Sequence, residues 1–443
     1  MTNKKLLSAV FALFIGLCLC IPANALDVKR RVLPNGLAVQ AVERRNIPVV
    51  TVSLLIKAGQ PDEPPEKAGL SNLTARLLTS GTKTRTATQI SEETEFIGAS
   101  LGASAGADFI VVSLTVLKKD ILKGFELLGD ILLNPVFPED EIKRERDLIT
   151  GGLRQSEEDP FFLAERAFKK EVYGQYPYGR LVSGSVETLS RIERQNLVKF
   201  HGDFFRPNNA ILTVAGDIGE EELIGLIKRF MDTWQRKDMP PGKPVPVQPR
   251  VKRLVKIDKD LTQANIILGH LGVSRDNPDY YAIQVMNYIL GGGGFSSRLM
   301  DTIRDRMGLA YDVHSFFAPQ KGPGVFQVGA QTKNESANTV IAEILKELKK
   351  IREETVTEEE LEDAKSYLKG SFALRLDTMA RIAEFLGLVE FYGLGADYME
   401  KYTGYIDAVS VEDVGRVAER YLDPDNLVLV VVADQKKADV KDR

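Results

Sequence analysis

Asn72, Ala75 and Arg76 stand at i, i+3 and i+4 within the run Ala68 to Thr82. Leu70, Leu73, Leu77 and Leu78 give that run the apolar stripe of a helix, and Gly81 gives it a stop. The three side chains therefore share one face. Two His and a Glu on such a face would hold zinc and activate a water. An amide, a methyl and a guanidinium do neither. The three histidines, His201, His270 and His314, are no better placed. None lies at helical spacing from another, so a zinc site built from them would need convergence from distant parts of the chain.

Two further stretches carry candidate chemistry. Gly291-Gly292-Gly293-Gly294 resembles a phosphate cradle only superficially, because no Lys-Ser/Thr follows at P-loop spacing. It reads as a flexible turn between a helix ending near Leu290 and one starting near Ser296. That second helix should stop at Gly308, which leaves Arg304 in its last turn and Tyr311 at the start of the next strand. A guanidinium and a phenol held together can hydrogen-bond a peptide carbonyl or its oxyanion. The spacing alone fits better a helix-end Arg facing the dipole and a packed Tyr. Neither a dinucleotide fingerprint nor a nucleophile elbow is present.

The positioning elements follow from periodicity and punctuation. Two strands flank the Pro34-Asn35-Gly36 turn, and Val49 to Ile56 is β-branched enough for a buried third. Helices are predicted over 90–97, 119–133, 138–155, 160–173 and 193–203. Strands are predicted over 109–117 and 210–215. Gly98 to Ala107 is a Gly/Ala/Ser-rich lead-in to the first of these. In the second half, Ile341, Ile344, Leu345, Leu348 and Ile351 mark the core stripe of a helix over 336–352.

Three blocks repeat collinearly. Phe137 to Ile142 answers Val356 to Leu361, Val172-Tyr173-Gly174 answers Phe391-Tyr392-Gly393, and Phe205 to Leu212 answers Leu422 to Leu429. Their near-constant offset predicts two homologous α+β domains. Between them, residues 240–250 are rich in Pro and read as an extended linker. The predicted division is a leader at 1–25, a first domain at 26–239, the linker at 240–250 and a second domain at 251–443.

The leader carries Lys4 and Lys5, an apolar run from Leu6 to Ile21, and Ala23-Asn24-Ala25. This is the pattern of a cleavable signal peptide, cut after Ala25, and implies a periplasmic or secreted protein. The run is short for a membrane anchor. A lipoprotein through Cys18 or Cys20 would want a small residue before the cysteine, where Leu stands. Both cysteines lie in the leader, so the rest of the chain has no thiol or disulfide. Without the leader, 56 basic side chains face 62 acidic ones, a net −6 that gives no support to nucleic-acid binding. No other run is long and apolar enough to span a membrane.

Taken together, these residues resemble the pitrilysin/insulinase metallopeptidases, peptidase family M16. The resemblance runs through Leu33 to Leu37, Gly69 to Thr82, Glu145 to Ile149, Pro177-Tyr178-Gly179, Phe205 to Asn209 and Leu290 to Val313. It implies two LuxS/metallohydrolase-like α+β domains, each a mostly antiparallel sheet packed with helices, forming half of a clamshell. It also implies a dimer, with itself or with a homologue, enclosing unfolded peptide. In the family's His-x-x-Glu-His motif the first His falls on Asn72, the Glu on Ala75 and the second His on Arg76. The distal Glu ligand falls on Gly152, and an edge-strand Asn used on substrate falls on Gly102. Arg304 and Tyr311 match the pair that the family's second domain lends to the active site, and Gly291 to Gly294 match part of the same substrate-facing segment. The expectation is a chain without bound zinc or another cofactor. It would contribute Arg304 and Tyr311 in trans to a zinc-bearing partner. The alternatives are a stand-alone peptide-binding or scaffold homodimer and, last, an active zinc endopeptidase.

Overall fold

The computed structural model describes residues 26–240, 246, 247, 249 and 251–441. The predicted leader and most of the Pro-rich linker lie outside the described residues.

The chain opens with β1 (Val28–Val32), β2 (Ala38–Glu43) and β3 (Val49–Ile56). The β1–β2 turn needs Gly36, whose φ of 90° is a left-handed conformation. Next come α1 (Leu70–Arg76), α2 (Ala87–Phe96), β4 (Ser100–Ala105) and β5 (Ile110–Leu117). Five helices follow: α3 (Ile121–Leu133), α4 (Glu139–Ser156), α5 (Pro160–Tyr173), α6 (Val186–Ser190) and α7 (Arg194–Phe204). The first half closes with β6 (Ala210–Gly216) and α8 (Glu220–Met231). Its sheet has the order β1-β2-β6-β3-β5-β4. Only β2 and β6 run parallel; the other pairs are antiparallel. β3 lies mid-sheet, and its apolar run is accordingly buried.

The second half begins with β7 (Arg253–Asp258), β8 (Gln263–Leu271) and α9 (Tyr280–Asn287). Two π-helical segments, Tyr288–Gly292 and Met300–Arg306, lead into β9 (Ala310–Ala318) and β10 (Val325–Lys333). Then come α10 (Ala337–Glu353), α11 (Glu358–Phe372), α12 (Met379–Phe391), α13 (Tyr398–Asp407), α14 (Val411–Tyr421), β11 (Val428–Ala433) and α15 (Gln435–Ala438). The sheet order is β7-β11-β8-β10-β9, again with one parallel pair, β7 with β11. Remove β1 and the two sheets have the same topology: β2, β6, β3, β5, β4 answer β7, β11, β8, β10, β9. The fold is two α+β units of one kind, as the repeated blocks imply.

The repeat also reveals an exchange. α5 and α12 are equivalent, each ending at the repeated Tyr-Gly. Yet α5 packs on β8 and β11 of the second sheet, and α12 packs on β3 and β6 of the first. Leu163, Phe168 and Val172 of α5 are buried with Ile267, Val428 and Val430. Ile382, Ala383 and Leu386 of α12 are buried with Val42 and Ala215. Arg30 of β1 clamps Glu390 of α12 through two bonds of 2.8 Å, and Gln40 adds a third at 3.0 Å. The Arg30 guanidinium, acting first through its hydrogen bond, lowers the Glu390 pKa from the ordinary carboxylate value.

Several local expectations change. Gly98 to Ala107 contains the edge strand β4 rather than only a lead-in. Regular helix does not start at Ser296: a 3₁₀ turn over Gly294–Ser296 precedes the π-helical segment. The Gly291 to Gly294 turn is not loose. A Cβ on Gly291 would lie 2.5 Å from Ser315 Oγ and 2.7 Å from a Leu299 methyl. These glycines allow close packing, and only Gly294 needs positive φ, at 58°.

Candidate functional site

The helix bearing Asn72, Ala75 and Arg76 is short, and its start is fixed from outside. Its N-cap, Gly69, has a φ of 97° and no side chain to cap with. Glu63 does that work instead. Its carboxylate accepts from Gly69 N at 3.1 Å, from Ser71 N at 2.6 Å and from Ser71 Oγ at 2.5 Å. Burial nevertheless dominates and pushes the Glu63 carboxyl up to about 7.

Ala75 is buried in the first core, Asn72 is half-buried, and Arg76 reaches out between α1 and α4. There Arg76 Nε donates to Glu145 Oε2 at 2.7 Å, while Arg144 holds Glu145 Oε1 at 2.8 Å. The Glu145 side chain is only 8% exposed, so both its oxygens are committed to guanidinium partners. Gly152 is on α4; a Cβ there would meet nothing within 4 Å, and the same is true of Gly102 on β4.

This donor set does not fit zinc. At the positions to which the resemblance assigns ligands, Arg76 is a cation paired with the neighbouring Glu145 and Gly152 has no side chain; at the position it assigns to the general base, Ala75 is a buried methyl. A dication within about 4 Å of Arg76 would meet a repulsion of several kcal/mol at an effective dielectric near 20. Among the described residues, no three His, Cys, Asp or Glu side chains are grouped to hold a metal. The histidines are spent elsewhere. His201 Nε2 bonds Leu132 O, His270 Nδ1 bonds Leu271 O, and His314 Nδ1 pairs with Asp312.

The second-domain residues are assembled differently. Arg304 lies on the π-helical segment, with its guanidinium carbon 4.6 Å from the Phe295 ring centroid and 5.7 Å from that of Tyr311. Its ion pair is with the adjacent Asp305, at 3.2 Å. Tyr311 is 81% exposed and Phe295 68%. A β-bulge explains the phenol's orientation. Gln331 pairs with Asp312 and Thr332 with Ala310, which leaves Tyr311 as the extra residue. Gly308, with a φ of 63°, makes the turn that returns the chain to β9. Gly291 is buried against Leu299 and Ser315 and so braces the turn, whereas Gly292 and Gly294 are exposed. The geometry brings Arg304 and Tyr311 together, with Phe295 as a third member. Its only sequence signal was an apolar ring in a glycine run. Glu145 was visible as a residue but not as the partner of Arg76.

Both sheets also end in an open edge. Among the described residues β4 pairs only with β5, and β9 only with β10. β4 reads Ser-Leu-Gly-Ala-Ser-Ala, without the charges or Pro that usually blunt an edge, and α1 packs beside it.

Comparison with known proteins agrees with this architecture. The family described as "Insulinase (Peptidase family M16)" matches residues 39–185, and "Peptidase M16 inactive domain" matches residues 191–368. An uncharacterized zinc protease of Rickettsia felis is 30% identical over 356 residues, which is 80% of this chain and 85% of that protein. The chain belongs to peptidase family M16. A second relative, an uncharacterized zinc protease of Rickettsia bellii, is 29% identical over 88% of this chain and 93% of its own length. Among solved structures, the peptidase M16 inactive domain from Pseudomonas fluorescens superposes with a TM-score of 0.86 at 27% identity. That match covers 92% of this chain and 98% of the other. A protease from Helicobacter pylori shares the fold, with a TM-score of 0.84 at 22% identity, covering 92% of this chain and 100% of that one.

Proposed function

We propose that this M16 chain is a zinc-free subunit of an exported peptidase complex, working in the periplasm or outside the cell. It supplies peptide-binding surface and the Arg304/Tyr311 pair to a zinc-bearing partner of the same family. The observation that carries this reading is the Arg76–Glu145 ion pair, which puts a protein cation where a zinc ligand would be needed. The exposed Arg304–Phe295–Tyr311 cluster supports it. Its guanidinium and phenol can donate to a peptide carbonyl as negative charge develops on the oxygen. The unblunted β4 edge supports peptide capture by strand addition.

The test is reconstitution with an M16 chain that carries an intact His-x-x-Glu-His. Peptide cleavage should require both chains and fall at least about tenfold with Arg304→Ala, consistent with loss of one oxyanion donor. Tyr311→Phe should fall similarly while leaving assembly intact by size-exclusion. Full cleavage with both variants would remove the trans role. The open β4 edge equally favours a second reading, a peptide-binding homodimer that cleaves nothing. That reading predicts saturable binding of an unfolded peptide by the isolated chain, and no gain of cleavage with any M16 partner.

A further inference from the structure

The internal duplication shows that, among the described residues, one apolar surface is covered in the first domain and left open in the second. In the first sheet, Val39 of β2 lies opposite Leu212 of β6. Both are fully buried, in a core shared with Phe125 of α3 and with Leu226, Ile227, Met231 and Trp234 from α8 and the residues after it. α8 approaches α3 closely at Gly129, where a Cβ would lie 2.7 Å from Phe230 O. In the second sheet the corresponding pair is Leu254 of β7 opposite Leu429 of β11, and α10 takes the place of α3. After β11 the described residues form the four-residue α15 and a tail whose Val440 carbonyl accepts from Lys256. Leu254, Leu345 and Leu429 are left half-buried.

The result is a groove of about 510 Å³. Its floor is made by Leu254, Leu268, Ile341, Leu345, Leu427 and Leu429. Lys252, Lys349 and Lys441 stand on its rim with one acid, Asp425, while Arg253 is tied to Glu171. Among the described residues none of the three lysines has an ion-pair partner. Val247 of the linker lines a different cleft, with Lys321, Pro323 and Arg420. The groove is at the β7 edge, the opposite end of the sheet from β9 and Tyr311. It is thus separate from the proposed peptide site and does not depend on that reading.

We infer that this groove docks an acidic segment of a partner polypeptide, anchored by bulky apolar side chains. Two arguments select that occupant. The first domain fills the equivalent surface with Met231 and Trp234, so this fold covers the floor with large side chains carried on a polypeptide. The three lysines on the rim favour carboxylates on the flanks of the incoming segment, by charge complementarity. The anchors supply the apolar contact and the carboxylates supply the orientation.

The probe is a fluorescein-labelled peptide of residues 220–235 of this chain, carrying Lys228→Glu and Arg229→Glu so that the face beside its apolar anchors is acidic. Anisotropy with the full chain should show saturable binding with a Kd on the order of 10–100 µM. Leu345→Glu in the protein, or Trp234→Ala in the peptide, should weaken it at least about tenfold. The triple variant K252E/K349E/K441E, which leaves the floor intact, should weaken it at least as much and reverse its salt dependence. Absence of saturation at about 1 mM would overturn the proposal, as would binding indifferent to both protein variants. Two other results would also overturn it. One is a dodecanoate probe that stabilises the chain while the peptide does not, which makes the groove a site for a small amphiphile. The other is a spontaneous disulfide between Val247→Cys and Leu345→Cys, which makes the chain's own linker the cover.

Discussion

Glu145 is held by two guanidiniums, and this sets what losing either would cost. Removing one partner of a buried ion pair usually costs about 3–5 kcal/mol, because the other charge is stranded. Arg76→Ala would not strand Glu145, since Arg144 keeps its own 2.8 Å contact. Arg76 is also 42% exposed, so solvent already screens the pair. The expected loss is about 1 kcal/mol by urea denaturation, whereas Arg76→Ala with Arg144→Ala should cost at least about 3 kcal/mol, more than the two singles added. Additive singles would mean that Glu145 is better solvated than its burial implies. His201 carries a pH dependence of definite sign. Burial lowers its imidazole from 6.5 to about 4, although its Nε2–H donates to Leu132 O and partly opposes the shift. The folded state thus holds it neutral while the unfolded chain takes the proton. Its contribution is complete above the unfolded value of 6.5 and is lost as pH falls toward 4, amounting to roughly 3 kcal/mol by the lower limit. His201→Phe, which keeps the ring between Phe137 and Phe205, should flatten the stability profile between those two pH values. An unchanged slope would assign the dependence to another group.

Among the elements, glycine positions in two helices separate packing from propensity. Gly129 on α3 lies against the α8 backbone, so Gly129→Ala must push the two helices apart. The expected cost is about 1–3 kcal/mol. Gly152 on α4 meets nothing, and its helical interior position favours a side chain. Gly152→Ala should therefore stabilise by roughly 0.5–1 kcal/mol, read as a raised Tm. A destabilised Gly152→Ala would mean that this face is packed. The same contrast explains which elements were legible in the sequence. α4, α5, α7 and α10 carry local apolar periodicity and fall within a residue or two of their expected bounds. β4 has small side chains and no alternation of size, so its strand character comes only from pairing with β5. The bulge at Tyr311 is set by register with β10, which no local pattern encodes. At the candidate site, the residue types at 72, 75, 76 and 152 were plain in the sequence. The ion pair that joins two of the helices was not, because its partners are 69 residues apart.

For the whole molecule, the duplication could be read from three collinear blocks, but the exchange of α5 and α12 could not, since it concerns which sheet a helix leaves its own half to cover. That exchange predicts how the halves depend on each other. In a chain cut to residues 26–239, α5 would lose Ile267, Val428 and Val430, and the first sheet would lose the α12 cover over Val42 and Ala215. A chain of residues 251–443 would expose the converse surfaces. Leu163, Phe168 and Val172, or Ile382 and Leu386, would then face water. Each large apolar side chain so exposed forfeits about 1.5–3 kcal/mol, and a few of them match the whole stability of an ordinary domain. Neither half should fold alone with sharp near-ultraviolet circular dichroism. Co-expressed, the two should recover a soluble one-to-one complex, because the described contacts survive a cut within the linker. Leu386→Asp, on the α12 face buried with Val42 and Ala215 of the first sheet, should abolish that complementation while leaving α12 itself helical. Two halves that each fold and stay monomeric when mixed would show that the exchanged helices are accessories, and that each sheet is stabilised from its other face alone.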